Sequence, residues 1–273
     1  MRRSGKYGKE KDMIFSASRR TDIPTYYSEW LCNRLEAGNV CVRHDARRVT
    51  RYVFSREAVD CLVLWTKNPL PLLDRLVLLR GWPCVFQFTL TGYGRDVEPG
   101  LPDKLELVEA MKRLSEAFGS ERVIWRYDPI LFTETYTPEY HLKAFSQIAD
   151  ALKGYTHKCV ISFVDTYAKN KKQMEELHAY ELKETDLMDF AGKLSEMAKK
   201  NGMTVASCAE HTDLTECGIA PGCCIEKALV EELAGYPIKA AKDKNQRPAC
   251  GCVESVEIGT YDTCKNGCRY CYA

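Results

Sequence analysis

The sequence has almost no net charge and no long apolar run, and both absences narrow what the protein can be. Its 39 Lys and Arg residues offset 38 Asp and Glu residues, which leaves a formal net charge of +1. With this balance we do not expect the protein surface as a whole to bind nucleic acid or an anionic membrane. Any basic site must therefore be local. No stretch approaches the roughly 20 apolar residues of a membrane-spanning helix.

We also expect no secretory signal. Residues 1–12 are basic and polar and no apolar segment follows them, which predicts a flexible basic tail rather than a signal peptide. No low-complexity linker or internal repeat interrupts residues 13–273, so we expect one domain there. Without a signal, a chain of this length with 14 cysteines is expected in the reducing cytoplasm, where cysteines are metal ligands or core residues rather than disulfides.

The cysteines fall into two groups by position. Five stand singly in apolar surroundings and are predicted to be small buried core residues: Cys32, Cys41, Cys61, Cys84 and Cys159. Nine crowd into the last quarter of the chain: Cys208, Cys217, Cys223, Cys224, Cys250, Cys252, Cys264, Cys268 and Cys271. That density indicates a chemical role for the region 208–273.

Short apolar β-rich runs alternate with helical patterns along the chain. The eight predicted strands are Ile14–Ser18, Val40–His44, Cys61–Thr66, Val85–Thr89, Val123–Tyr127, Cys159–Phe163, Thr204–Cys208 and Ser255–Tyr261. Apolar stripes predict helices over residues 107–118, 142–152 and 185–201. Eight such units favour an α/β fold, a single (β/α)8 TIM-type barrel over residues 13–273, with an open doubly wound sheet as the alternative.

Polar residues follow several predicted strands, at the ends where a barrel carries its working residues. Gln87 lies near the end of one strand, Arg126 and Asp128 close another, and Glu210 follows a third. We predict that these four residues bind a cofactor, with Arg126 on a carboxylate and Asp128 on a ribose or amine. Alternatively, Arg126 and Asp128 only satisfy each other, and Glu210 has a structural hydrogen-bonding role.

The most specific motif is C-x3-C-x2-C, formed by Cys264, Cys268 and Cys271 with Tyr270 just before the last cysteine. Three close thiolates can bind three irons of a [4Fe–4S] cluster and leave the fourth iron open for another ligand. Zinc sites more often use paired C-x2-C knuckles, and a disulfide would leave one cysteine over. The motif therefore predicts an iron–sulfur cluster, and Tyr270 is included among the predicted cofactor-binding residues.

A second set of thiols offers another four-ligand site. The preferred set is Cys208, Cys224, Cys250 and Cys252, with Cys217 and Cys223 as substitutes. We expect Cys224 to open a helix, whose N-terminal dipole would favour a thiolate. The prediction is a second iron–sulfur cluster, and the alternatives are structural zinc ligands or loop cysteines without metal.

The segment 236–254 is long for a connection within a barrel and is basic. Together with other predicted loops it would bring these cations to the rim: Arg19, Arg20, Arg43, Arg47, Arg48, Lys169, Lys171, Lys172, Lys239, Lys242, Lys244 and Arg247. One interpretation is an anionic small-molecule substrate, phosphate-bearing, or a nucleic acid, although the net charge does not indicate the latter. The alternative is ordinary solvated loop charge.

The C-x3-C-x-aromatic-C motif resembles the cluster loop of the radical S-adenosylmethionine superfamily, and its Tyr-Cys-Tyr-Ala ending resembles spore photoproduct lyase. The whole chain also resembles an uncharacterised bacterial family, a domain of unknown function, through residues 18–24, residues 250–255 and the terminal motif. The superfamily resemblance implies that the open iron chelates the amino and carboxylate groups of S-adenosylmethionine. It also implies that electron transfer from an external donor such as flavodoxin or ferredoxin cleaves S-adenosylmethionine to a 5′-deoxyadenosyl radical.

The position of the motif differs from that superfamily. The usual cluster loop follows the first strand, whereas this loop follows the last predicted strand, and the usual Gly-Gly-Glu-like segment is not evident. In a closed barrel the first and last strands are neighbours, so the cluster would still lie on the same rim. We therefore expect a radical S-adenosylmethionine enzyme; the alternative is a non-radical iron–sulfur or zinc protein that transfers electrons, senses redox state or binds nucleic acid.

Overall fold

The structure is a computed structural model that describes residues 13–272. The predicted flexible tail over residues 1–12 lies outside the described residues. Within residues 13–272, no helix combines the length and the apolar character needed to cross a membrane.

Strands of one central sheet organise the fold. The strands in the described part of the chain are β1 (Ile14–Ala17), β2 (Asn39–Arg43), β3 (Val49–Val53), β4 (Cys61–Thr66), β5 (Cys84–Thr89), β6 (Val123–Ile130), β7 (Lys158–Phe163), β8 (Thr204–Cys208), β9 (Ile219–Gly222) and β10 (Val256–Glu257). Eight of them form a sheet in the order β10-β1-β4-β5-β6-β7-β8-β9, and all of its pairings are parallel. The α/β prediction is therefore confirmed, and the carboxyl ends of the eight strands meet at one edge.

The helices are α1 (Ile23–Tyr26), α2 (Ser28–Ala37), α3 (Leu70–Leu73), α4 (Leu76–Leu79), α5 (Lys104–Phe118), α6 (Pro138–Ala151), α7 (Lys171–Glu176), α8 (Glu184–Lys200) and α9 (Lys227–Ala234). The three predicted helices correspond to α5, α6 and α8. Side-chain caps explain where two of them begin: Asp103 accepts from Leu105 N, and Thr137 accepts from Tyr140 N.

The predicted strand Val40–His44 does not belong to the central sheet. It forms β2, which pairs antiparallel with β3 in a separate two-stranded sheet. The exposed and buried residues of β2 alternate, which is typical of a ribbon with one covered face, whereas β4 is buried along almost its whole length. The eighth place in the central sheet belongs to β9, which the sequence did not predict because it is short and contains Pro221 and Gly222.

Both faces of the central sheet are covered. On one face, side chains such as Phe86 and Trp125 pack with the apolar stripes of α2, α5, α6 and α8. On the other face, alternate strand residues such as Val85 and Ile124 pack against α9 and the segment 238–253. This second layer contains Cys224, Cys250 and Cys252 in a buried setting.

β9 and β10 are the two edges of the central sheet. The segments beside these edges touch, because Val253 N donates to Ile225 O at 3.2 Å. The closed barrel stays a prediction.

The predicted burial of the single cysteines is confirmed for Cys32, Cys61, Cys84 and Cys159 but is wrong for Cys41, which is exposed on β2.

Candidate metal and cofactor site

A cavity of about 270 Å³ lies where the strands of the central sheet end. All seven cysteines that were predicted as metal ligands line it: Cys208, Cys224, Cys250, Cys252, Cys264, Cys268 and Cys271. Arg126, Asp128 and Tyr270 line it as well. Its volume is close to the lower end of small-molecule sites, about 300 Å³. The fold thus brings both cysteine sets to one place.

Cys264, Cys268 and Cys271 lie on one loop, here called the triad loop (residues 263–272). Hydrogen bonds attach this loop to the segment that follows β1. Asn266 Nδ2 donates to Asp22 Oδ2 at 3.3 Å, and Asn266 Oδ1 accepts from Tyr26 Oη at 2.8 Å. Tyr27 Oη donates to Thr263 O at 2.9 Å. These contacts place the triad loop over the end of β1, although the loop follows β10.

The segment after β5 holds the other side of the triad loop. Gly100 N donates to Asn266 O, and Arg269 N donates to Val97 O, both at 3.0 Å. A Cβ atom at Gly100 would lie 2.6 Å from Asn266 O, which is closer than real Cβ contacts allow. Glycine at this position therefore permits the two backbones to approach each other.

A buried ion cluster anchors Tyr270. Glu98 is 1% exposed and accepts hydrogen bonds from Lys67 Nζ, Lys104 Nζ, Thr91 Oγ1 and Tyr270 Oη. Burial alone would raise the pKa of Glu98, but the two ammonium groups outweigh burial and lower that pKa to about 2. Glu98 is thus ionised, and its hydrogen bond with Tyr270 holds the part of the motif between Cys268 and Cys271 in place.

Burial favours the protonated form of two thiols of the triad loop, Cys264 and Cys268, because it raises the pKa of each. Burial raises the pKa of Cys268 to about 12, against the opposing effect of the Lys67 ammonium, and it also raises the pKa of Cys264. Cysteines bind metal as thiolates, so binding here would release protons. Cys271 is exposed, which brings this end of the cavity to the protein surface.

The other four cysteines, here called the four-cysteine group, contact one another. Cys208 Sγ and Cys224 Sγ are 3.2 Å apart, and Cys252 Sγ accepts from Cys224 N at 3.2 Å. A hydrogen bond with the Cys252 side chain lowers the pKa of Cys250 to about 7. Cys208 ends β8, Cys224 follows β9, and Cys250 and Cys252 precede β10, so the group joins both edges of the sheet.

Two expectations about this group are wrong. Cys224 does not open a helix, because α9 begins at Lys227. The expected preference of Cys224 for the thiolate is wrong as well. Its side-chain contact with Cys208 lowers the pKa of Cys224, but its contact with Cys252 and its burial outweigh that effect and raise the pKa. The substitute ligand Cys217 contacts Met188 O at 3.3 Å, which places its thiol against α8.

Arg126 supports the four-cysteine group from inside the sheet. Its buried guanidinium donates to Cys224 Sγ at 2.9 Å and to Gln87 Oε1 at 3.2 Å, and it pairs with Asp128. Gln87 in turn donates to Cys224 O at 2.7 Å and does not line the cavity. Arg126 and Asp128 therefore satisfy each other, as the structural alternative expected. A direct role in cofactor binding stays a prediction for all three residues.

Glu210 lies beside the cavity rather than in its wall. Its carboxyl group accepts from Phe163 N at 3.1 Å, and burial raises its pKa to about 7. Glu210 can therefore change its protonation near neutral pH, but its role as a cofactor ligand stays a prediction.

The predicted rim cations do not form one patch. Arg19, Arg20 and Arg247 line the cavity. Lys171 and Lys172 instead face Glu175 and Glu176 along α7, as solvated helix pairs do. Arg43 lies on the two-stranded sheet and Arg47 and Arg48 in its connecting turn, all three exposed. The solvated-charge alternative therefore fits most of the set.

Sequence reasoning missed Glu98 and Asn266. Both are buried polar residues whose importance depends on partners more than 30 positions away, such as Lys67 for Glu98 and Asp22 for Asn266. The sequence signal for Glu98 is its place in the loop after a predicted strand, immediately before Pro99 and Gly100.

No three His, Cys, Asp or Glu side chains within residues 13–272 already converge as ligands of a single metal ion. A cubane cluster does not require such convergence, because each cysteine binds a different iron. The cysteines at the cavity therefore suit a cluster in number and in type, and all seven line the same space.

A sequence profile of the family described as "Domain of unknown function (DUF1848)" matches residues 14–273. The chain belongs to this family. No curated protein matches it. One similar solved structure is a crystal structure of a candidate alpha-L-fucosidase from Bacteroides thetaiotaomicron, with 14% sequence identity and a TM-score of 0.27 over 84% of this chain and 86% of that chain. So low a TM-score carries no argument about this protein.

Proposed function

We propose that this DUF1848 protein is an iron–sulfur enzyme that uses S-adenosylmethionine for radical chemistry on a small anionic substrate. The observation that carries the proposal is that Cys264, Cys268 and Cys271 line one cavity at the ends of the parallel strands. That edge is where α/β proteins bind their ligands. In this proposal the three thiolates would hold a [4Fe–4S] cluster and leave its fourth iron available for another ligand.

When bound, the cluster and S-adenosylmethionine supply the one-electron chemistry, and the protein supplies position and a dry cavity. The triad loop is fixed by Glu98, Asp22 and Gly100, so its thiols keep their places relative to the strand ends. Trp65 and Arg126 line the cavity, and the Arg126 guanidinium lies over the Trp65 ring at 5.3 Å, which fixes both side chains in this wall. Exposure of Cys271 leaves a short path for an electron from an external donor such as flavodoxin or ferredoxin.

The four-cysteine group is proposed as a second metal centre. Its members come from both edges of the sheet, so a cluster bound there would also join these edges and complete the proposed barrel. The 3.2 Å contact between Cys208 and Cys224 is shorter than the separation of about 3.8 Å that tetrahedral zinc with bonds of about 2.3 Å sets. One of these thiols must therefore turn before the group binds either zinc or a cluster.

The test is anaerobic reconstitution of the full chain with iron and sulfide, followed by iron and zinc analysis, Mössbauer spectroscopy and an assay for S-adenosylmethionine cleavage with a strong reductant. We expect Cys268→Ala to lose about four irons per chain and all cleavage. The matched control is Cys41→Ala, which changes an exposed cysteine that does not line the cavity and lies outside the central sheet. It should behave like the wild type.

Two results would contradict the proposal in different ways. Equal iron in Cys268→Ala and the wild type would exclude the triad as a cluster site. An intact cluster that neither binds nor cleaves S-adenosylmethionine would exclude the radical function and leave electron transfer or redox sensing.

A further inference from the structure

Two buried polar atoms at the cavity have no hydrogen-bond partner within residues 13–272, the part of the chain that the structure describes. They are Thr21 Oγ1 and Arg19 Nη2, and both residues line the cavity. Thr21 is 6% exposed, so its hydroxyl is buried as firmly as a core atom. Buried polar atoms are almost always paired, and an unpaired one points to a missing ligand or water. We propose that Arg19, Arg20 and Thr21 form an oxyanion site that takes the carboxylate or phosphate group of the substrate.

The backbone of this site is fixed before any ligand binds. Ser18 Oγ accepts from Arg20 N at 2.9 Å, and Arg19 N donates to Glu257 Oε2 at 3.2 Å. Gly259 packs so closely on this turn that a Cβ atom there would lie 2.0 Å from Ser18 Oγ. A site that is already formed loses little conformational entropy on binding.

Aromatic rings orient the two guanidinium groups. Arg19 lies over the ring of Trp65 at 5.2 Å, and Arg20 lies over the ring of Tyr261 at 4.8 Å. Stacking uses the flat face of a guanidinium and leaves its N–H edge for a ligand. The Arg19 Nη1 atom is 4.0 Å from Glu257, which leaves Nη2 as the unpaired donor.

The charges around the cavity favour an anion at this wall. Other cations of the cavity each have a close carboxylate partner, in the pairs Arg126–Asp128, Lys67–Glu98 and Arg247–Asp165. Arg19 has only the long contact with Glu257. Within residues 13–272, Arg20 has no carboxylate partner, and Arg19 keeps its Nη2 atom unpaired beside the 4.0 Å contact with Glu257. Together with the Thr21 hydroxyl these donors form a pattern that binds an oxyanion.

The assignment of this oxyanion to the substrate rests on the proposed function, but the oxyanion site itself does not. In the proposed function the carboxylate of S-adenosylmethionine is already bound to the open iron. A second oxyanion in the same cavity therefore belongs to another molecule, the substrate.

The site is tested on the full, anaerobically reconstituted chain by titration with inorganic phosphate and, separately, with acetate, using calorimetry and thermal unfolding. We expect one of the two probes to bind the wild type and to raise its Tm. Arg19→Gln and Thr21→Val should weaken that binding by at least about tenfold. Arg48→Gln, which changes an exposed arginine beside Asp45, is the control and should bind as the wild type does.

Thr21→Val separates a ligand-binding hydroxyl from a structural one. Because the hydroxyl is buried and unpaired, replacing it with a methyl group should leave the Tm of the probe-free protein equal or higher. Binding of phosphate supports a phosphate-bearing substrate, and binding of acetate supports a carboxylate. The site is overturned if neither probe binds, if the site variants bind as well as the wild type, or if Thr21→Val lowers the probe-free Tm.

Iron content and S-adenosylmethionine cleavage are measured on the same samples. Failure of anion binding with an intact, active cluster would overturn only the oxyanion site. Normal anion binding without cleavage would overturn only the proposed function.

Discussion

The two cysteine groups of this protein share one cavity but are held in different ways. The triad loop is fixed from outside, by Glu98 on Tyr270 and by Asp22 and Gly100 on Asn266. The thiols of the four-cysteine group are instead fixed by one another and by Arg126. The first group therefore keeps its position through charged and backbone anchors, whereas the second depends on its own sulfur atoms.

This difference suggests a division of work between the two groups. Three thiols on an anchored loop leave one ligand position open and suit a centre that binds a further molecule. Four mutually contacting thiols at the two sheet edges suit a closed centre that holds the structure together. Substitutions that remove one kind of support and spare the other test this comparison.

The largest effect is expected from Glu98→Ala, which removes the central anchor of the triad loop. The variant leaves Lys67 and Lys104 without their carboxylate, and breaking a buried ion pair in this way costs about 3–5 kcal/mol. Urea unfolding measures this change in the free energy of unfolding. The control is Glu109→Ala, which breaks an exposed pair with Lys112 and should cost less than about 1 kcal/mol. Equal losses in the two variants would contradict a buried anchor.

The same carboxylate predicts a pH dependence of somewhat smaller size. The pKa of Glu98 is about 2 in the folded protein and 4.5 in an ordinary glutamate, so its contribution to stability is complete above pH 4.5. As the pH falls from 4.5 towards 2, that contribution is lost, by about 3 kcal/mol in all. The difference in unfolding free energy between the wild type and Glu98→Gln should shrink over this range. A difference that does not change with pH would show that Glu98 is not ionised.

Sequence patterns predicted the repeated α/β units well because each depends on neighbouring residues. The helices α5, α6 and α8 follow from apolar stripes and from caps such as Asp103 and Thr137. β2 was placed in the wrong sheet because strand pairing depends on distant partners. A five-residue strand such as β2 carries no information about whether its neighbour is β1 or β3.

The cysteines of the site could also be predicted, because their density and spacing are visible in the chain. The anchors could not, since Glu98 matters only through Lys67 and Tyr270, which lie far from it in sequence. The unpaired state of Thr21 Oγ1 is likewise invisible without coordinates. Sequence therefore indicated the thiols that we propose as metal ligands, and the structure added the residues that hold them in place.

Gly100→Ala should have a moderate effect confined to the triad loop. Its new Cβ atom would meet Asn266 O at 2.6 Å and Asn266 Cα at 2.9 Å, so the loop must shift, at a cost of about 1–3 kcal/mol. We expect the reconstituted variant to lose iron from the triad and to keep metal in the four-cysteine group. The matched control is Gly192→Ala in α8, which meets no atom within 4 Å and should stabilise the helix by up to about 1 kcal/mol. Unchanged triad iron in Gly100→Ala would contradict the close backbone contact as an anchor.

The smallest change in stability, about 1 kcal/mol, is expected from Cys208→Ala, which removes one member of the four-cysteine group. The triad loop keeps all of its anchors in this variant, so its cluster should remain and only the second metal should be lost. Cys217→Ala is the control, because its thiol contacts Met188 O instead of the cavity, and both metals should remain. Metal analysis and Mössbauer spectroscopy measure both outcomes. Loss of both metals from Cys208→Ala would contradict the division of work, because it would show that the seven cavity cysteines act as one centre whose parts are not independent.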